Sequence, residues 1–477
     1  MIVLLAIILR VCKLRYAYYG TINELARDLN VVYDILVYHK IPLLGPSASL
    51  GGFYFGAFYY YLMVPFVWIS NFFAWGAVAL SGIFSVLQVI AMYHLLKLWF
   101  NNEKMGLLGA LITAVCLFDV QNSYYISNPN LLPFFVIVFL YGVTRVLQHT
   151  DNWKTNVSTG LAFGMATQLH ATALLILPIL VLICIVIYRQ KINYLRLWPG
   201  IVAFAVTFIP YFVYEATHRF VNTTGIIKLG GNHLGLPIKL TSIEALIVFW
   251  NSIFFFKSDY FNLFLTNNIA YLILLSALVL FGLALLISYR KKESILVPII
   301  SREGKILLAS WFIVTTIVML LYQAVLPEYY FLIFWPLPVI VFVWFTYFVI
   351  TNFRKLGQVF ITLYLIMQMV QLYYFYQIVE FKELDYNNYK AMFDYAVAES
   401  GEQGFKIISD NDYTYFLTYY ARLYDLDKYQ QKSNSNLLYI IVETKYGQSV
   451  EPDPSRFEKL EDANFGNFKV IKYLRKT

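Results

Sequence analysis

Polarity along the chain alternates on a long scale. Apolar stretches recur at 1–19, 76–97, 105–122, 130–147, 157–170, 172–188, 197–214, 263–289, 305–325, 328–349 and 356–378. A helix crosses a bilayer with about 20 apolar residues, so the pattern predicts eleven transmembrane helices. The connections Lys97–Lys104, Arg145–Lys154, Arg189–Arg196, Arg290–Lys305 and Arg354–Lys355 are short and basic. Connections of that kind face the cytoplasm. Alternation then puts 123–130, 215–262, 326–328 and everything after 379 outside. It also makes 20–75 one long outer loop. The apolar stretches 53–70 and 242–256 stand outside the count. Gly51, Gly52, Gly56 and Pro65 interrupt the former, as expected of a segment that lies in the interface or dips in and returns.

Past residue 379 the period changes. "YKAMFDYAVAES" (389–400) has helical spacing, while "FKIISD", "LLYIIVET" and "NFKVIKYLRK" read as short strands. The predicted fold is therefore an all-α polytopic membrane domain, residues 1–379, followed by a small extracytoplasmic α/β domain, residues 380–477.

Composition excludes the main alternatives. Only 13% of residues are charged, against about 25% in soluble proteins, and aromatic residues make up 19%, far too many for disorder. The tail after 379 holds 16 of the 28 acids and 13 of the 36 basic residues. The net positive charge of the chain therefore belongs to the membrane domain, where it signals orientation rather than nucleic-acid binding. Met1 enters an apolar run with no basic n-region, so this run reads as a first span rather than a signal peptide. Cys12, Cys116 and Cys184 all lie in apolar segments and imply no disulfide framework. There is no P-loop, no dinucleotide fingerprint and no metal-ligand spacing. A divalent ion shared by Asp28 and Glu215 has no support in the spacing.

The acids of the membrane domain are sorted by side. Glu24, Asp28, Asp34, Asp119, Glu215, Glu244, Asp259 and Glu328 fall at or near the outer face on this scheme. Outer connections carry acids wherever basic residues are biased inward, so a single acid says little. The cluster Glu24/Arg27/Asp28 says more. Spacings of three and four put the three groups on one face of a helical turn. Two carboxylates there repel unless a cation or ligand intervenes, an arrangement that can poise one of them as a general base.

"ELARD" followed by "ILVYHKIPLLGPSASLGGFYFGAFYYYL" resembles membrane glycosyltransferases of the GT-C fold. The nearest branch is the bacterial group related to protein O-mannosyltransferases and the lipid A aminoarabinose transferase. Leu43–Pro46, Gly51–Gly52, Tyr54, Gly56 and Tyr59–Tyr61 match that group's first outer loop. Glu24 stands where the group places an Asp, and Ala57 where Pro is usual, which leaves open whether Glu24 or Asp28 is the catalytic acid. "SNPNLLPFF" (127–135), "IPYFVYEATHRFVNT" (209–223) and "EYYFLIFWPLP" (328–338) are similar to later segments of the group. The first lacks the group's Trp at 127. The second has Thr217 where Arg is usual, with Arg219 two positions on.

The resemblance implies inverting transfer of a sugar from a polyprenyl-phosphate donor to an acceptor hydroxyl or amine, on a lipid or protein, at the outer face of the plasma membrane. Its implied contact residues are Arg27, Tyr54, Tyr59, Asn128, Asn130, Glu215, His218, Arg219 and Glu328. From the residues alone, Asn128 also reads as a helix N-cap with Pro129 at the first helical position. His170 reads as a hydrogen-bonded buried histidine. Membrane lipids are the other expected partners. A polytopic lipid-linked-glycan transporter or scaffold is the alternative class. It would be marked by repeated halves and broken helices at mid-depth, and the sequence has no such repeat.

Overall fold

The computed structural model describes residues 1–14, 22–49, 51–233, 298–322, 328–400, 405–409, 436–443, 452–465 and 468–476, together with the single residues 246, 419 and 422. The expected span 263–289 and the apolar stretch 242–256, apart from residue 246, lie outside the described residues.

The apolar stretches form helices α1 (Ile2–Val11), α4 (Ala74–Phe100), α5 (Glu103–Val115), α6 (Leu117–Ser123), α7 (Leu132–Leu147), α8 (Trp153–Leu169), α9 (Ala171–Tyr188), α10 (Trp198–Thr217), α12 (Arg302–Leu321), α13 (Pro336–Asn352) and α14 (Arg354–Ser400). Short 3₁₀ turns at Asn128–Leu131 and Tyr194–Leu197 lead into α7 and α10, and a further one covers Glu328–Ile333. Among the described residues six helices are long and apolar enough to cross a membrane, and α5 with α6 makes a seventh. The chain is a multi-pass membrane protein. Several of its turns are closed by local chemistry: Asn101, at φ 45°, ends α4, and the Asn102 side chain caps α5 by accepting from Lys104 N and Met105 N. Asn152 and Ser301 cap α8 and α12 in the same way. Where α8 meets α10, Gly160 and Gly200 lie against each other. A Cβ on Gly160 would stand 1.9 Å from Gly200 O, so small residues set this approach.

Two departures from the sequence reading matter. The expected span 105–122 is broken: α5 and α6 meet at Cys116 with a 57° bend. Asp119, expected near the outer face, is buried beside the middle of α4, where its Oδ1 accepts from Gln88 Nε2 and Trp335 Nε1, both at 2.7 Å. Arg10 from α1 is fully buried nearby. Its guanidinium donates to Thr113 O at 3.0 Å, Ala114 O at 2.9 Å and Ser85 Oγ at 2.7 Å. The carbonyls left open at the end of α5 are thus satisfied inside the apolar core.

The stretch expected as one long outer loop, 20–75, is the second departure. It folds into helix α2 (Ile22–Tyr38), a hairpin of β1 (Leu44–Ser47) and β2 (Tyr54–Gly56), and helix α3 (Phe58–Ile69). Gly51 and Gly52, at φ 72° and 83°, make the turn between the strands. With 12 residues, α3 is short for a span, as is α1 with 10. The Leu25, Ala26, Leu29 and Val32 side of α2 is buried, as are Tyr59, Tyr60, Met63 and Val67 of α3, the helix on which α2 packs.

The long helix α14 runs unbroken through the expected domain boundary at 379/380. A four-stranded sheet follows, in the order β3 (Lys406–Ser409), β4 (Leu437–Glu443), β6 (Phe468–Arg475), β5 (Phe457–Phe465), with β3 parallel to β4 and the other pairs antiparallel. Strand β5 was not expected from the sequence. Its residues are mostly exposed, so it lacks the alternation that marks a strand. Lys472 of β6 binds Glu399 of α14 and Glu461 of β5, each at 3.0 Å, and so fastens the sheet to the helix.

Candidate active site

The helix α2 begins with the acidic cluster and presents its members differently. Glu24 and Arg27 line a cavity of mixed polar and aromatic wall. Asp28 lies behind them, only 1% exposed, where its Oδ1 accepts from Arg27 Nε at 2.8 Å and from Tyr60 Oη at 3.2 Å. Burial pushes the Asp28 carboxyl up to about 6, against the pull of the adjacent Arg27. The Tyr59 side chain is buried on the same helix as Tyr60, with its hydroxyl unpartnered among the described residues, and burial beside Asp28 raises its phenol well above the usual range.

The remaining wall comes from four other places in the chain. Ser47, Ala48 and Ser49 end β1, and Phe55 lies on β2. Tyr125, Ser127, Asn128 and Pro129 follow α6. His170 and Ala171 join α8 to α9, and Tyr329 and Tyr330 lie on the 3₁₀ turn that Glu328 opens. Cross-links hold these segments together. Tyr329 Oη donates to Ser49 Oγ at 3.0 Å. The His170 ring stacks on Phe55 and meets Tyr329 and Tyr330 edge-on. His170 Nδ1 accepts from Thr172 N, capping α9, which assigns the ring proton to Nε2. His170 is thus the hydrogen-bonded buried histidine expected, and it is also part of the cavity wall.

The other expected contact residues are placed as follows. Asn128 lines the cavity, and its side-chain amide donates to Leu169 O. The N-cap expected at Asn128 is instead Ser127, one residue earlier. Asn130 is turned into the fold: it accepts from Ser127 Oγ and donates to Asn122 O and Tyr125 O. Glu215 is buried, and its two oxygens accept from Asn222 N and Thr223 N, in the first turn of α11 (Val221–His233). There it caps a helix start. Asn222 in turn binds both backbone groups of Tyr54, which fixes the hairpin. The Tyr54 side chain is 49% exposed. His218 stacks on Tyr214 at the exposed end of α10, and Arg219 follows it in a left-handed turn. Tyr54, Tyr59, Asn130, Glu215, His218 and Arg219 do not form part of the cavity wall. Among the described residues no three His, Cys, Asp or Glu side chains converge as metal ligands.

A crystal structure of ArnT from Cupriavidus metallidurans, bound to undecaprenyl phosphate, superposes with a TM-score of 0.61 over 99% of this chain and 97% of that one, at 10% sequence identity. The fold is that of the GT-C membrane glycosyltransferases. The family model described as dolichyl-phosphate-mannose-protein mannosyltransferase also matches, over residues 56–214. That match covers β2 through α10 and stops short of the α2 cluster. No curated protein sequence matches the chain.

Proposed function

We propose that the protein transfers a sugar from a polyprenyl-phosphate carrier to an acceptor hydroxyl or amine, on a lipid or protein, at the outer face of the cell membrane. The observation that carries this reading is that the Glu24 carboxylate and the Arg27 guanidinium line the same cavity. In this reading Glu24 takes the proton from the acceptor as its oxygen or nitrogen attacks the anomeric carbon. The bond from that carbon to the carrier's phosphate oxygen breaks on the opposite side, so the product is inverted. The charge that develops on the leaving phosphate is met by Arg27, whose guanidinium suits phosphate oxygens. Asp28 does not reach the cavity; it holds Arg27 in place. The hydroxyls of Ser47, Ser49, Tyr329 and Tyr330, with Phe55 and His170, supply the polar and aromatic wall that a sugar ring requires. Likeness to a structure bound to undecaprenyl phosphate supports the choice of carrier. The broken span α5–α6 is a feature shared with transporters, yet its carboxylate, Asp119, is held by Gln88 and Trp335 and does not line this cavity.

The donor assignment has a direct test. Purified protein in detergent is expected to turn over one member of a panel of polyprenyl-phosphate sugars with no nucleotide sugar and no redox cofactor present. Transfer that required a nucleotide sugar supplied from the cytoplasmic side would overturn both the donor and the orientation.

The Asp28 role predicts a pH signature. An ionised Asp28 makes the charge-assisted bond to Arg27; a protonated one does not. With burial pushing this carboxyl up to about 6, transfer should decline as pH falls through that value. Asp28→Asn should lower the rate and abolish the decline centred there. An unaltered pH profile in that variant would remove Asp28 from the site.

A further inference from the structure

Helix α2 carries the proposed base near its start, but it packs as a surface helix on α3. What else fixes its roll about its own axis? The far half of the helix gives an answer. Arg422 donates from Nη1 to Asp34 Oδ1 at 3.0 Å and to Asn30 O at 3.4 Å. The Tyr33 hydroxyl donates to Arg422 O at 3.2 Å, and the Arg422 guanidinium lies 5.9 Å from the Tyr33 ring centroid. Three residues earlier, Tyr419 is buried. Its ring meets Tyr33 edge-on and its hydroxyl donates to Phe72 O, at the corner between α3 and α4. Residues from beyond α14 therefore hold one face of α2, at Asn30, Tyr33 and Asp34.

The register of α2 makes this grip relevant to the cavity. Arg27 and Asp34 are seven residues apart, which places them on one stripe of the helix, and Asn30 lies between them. A pull on Asp34 is a torque on the stripe that carries Arg27. Ten residues separate Glu24 from Asp34, about 15 Å along the axis at the rise of an α-helix. An α-helix turns as a unit over that length, so a roll at the gripped end moves Glu24 and Arg27 at the cavity wall.

We infer that Arg422 is a positioning residue, through which the C-terminal part of the chain sets the aim of the Glu24/Arg27 pair. This rests on the function proposed above. Loss of the grip leaves the wall residues in place but misaligned, so it acts on turnover rather than on donor binding. Misplacement of reacting groups by about 1 Å can cost two orders of magnitude. Arg422→Ala is accordingly expected to lower kcat by on the order of ten- to a hundredfold, with donor KM little changed. The exchange Asp34→Arg/Arg422→Asp restores the ion pair in reverse and should recover most of the loss, which mere damage to folding would not allow.

A readout independent of chemistry accompanies it. In a Cys12→Ser/Glu24→Cys variant, position 24 is labelled with an impermeant maleimide, and the labelling rate should change when Arg422→Ala is added. Wild-type kcat in Arg422→Ala, or an exchange variant as impaired as the single variants, overturns the inference. If the wild type transfers no sugar while labelling still responds to Arg422, the grip stands and the proposed reaction falls.

Discussion

Glu24→Gln is expected to lower sugar transfer by about 10²–10⁴-fold, the usual cost of losing a required general base. The substitution keeps the size of the side chain and one carbonyl oxygen to accept a hydrogen bond; what it removes is the ability to take a proton. Donor binding should therefore survive, and the loss should appear in kcat. Asp28→Asn should cost less, because an amide oxygen can still accept from Arg27 Nε and only the charge is lost. The order of the two variants is the diagnostic. A radiolabelled-sugar assay that found Glu24→Gln fully active and Asp28→Asn dead would exchange their roles. Activity in the double variant would remove the cluster from the chemistry altogether.

Much of the membrane architecture could be read from hydropathy and basic connections, because a bilayer imposes its thickness on every helix. Helices α4, α7, α9, α10 and α12 lie within a few residues of their expected ranges. The break at Cys116 could not be read. "ALITAVCLFDV" contains neither Gly nor Pro at the bend, and what bends the helix is a partner far away in sequence, the Arg10 guanidinium that takes up the freed carbonyls. The lone Asp119 in an apolar run was the available sign, since intramembrane acids are rarely idle. Between α2 and α3, Gly51-Gly52 both interrupts an apolar stretch and carries the signal of a hairpin turn.

The site divides in the same way. Glu24 and Arg27 stand out in the sequence because their spacing is local. That His170, Tyr329 and Tyr330 share their cavity is not legible there, since turns remote in sequence bring them to it. The segment "EYYFL" drew attention to Glu328 as the ionisable residue, while the two tyrosines beside it form the wall. Glu215 carries the opposite lesson. Its place in a family-like segment suggested a substrate contact, yet both its oxygens accept from the backbone at the start of α11.

Arg10→Met is expected to destabilise the membrane domain by about 3–5 kcal/mol, the range for removing one partner of a buried charge network. Three effects add. The carbonyls of Thr113 and Ala114 lose their donor, at a depth where water cannot replace it. Ser85 Oγ loses its bond to Nε. The Asp119 carboxylate, whose main-chain oxygen accepts from Ser85, loses the nearby cation that favours its ionised form inside the apolar core. The third effect can be removed separately. Asp119→Asn retains an oxygen for Gln88 and Trp335 but carries no charge, so the double variant Arg10→Met/Asp119→Asn should be more stable than Arg10→Met alone. Thermal unfolding in a fixed detergent, followed by the loss of monodisperse protein, measures both. A double variant no more stable than Arg10→Met would mean that the freed carbonyls dominate the cost. A single variant as stable as the wild type would mean that the bent span holds its shape without the guanidinium.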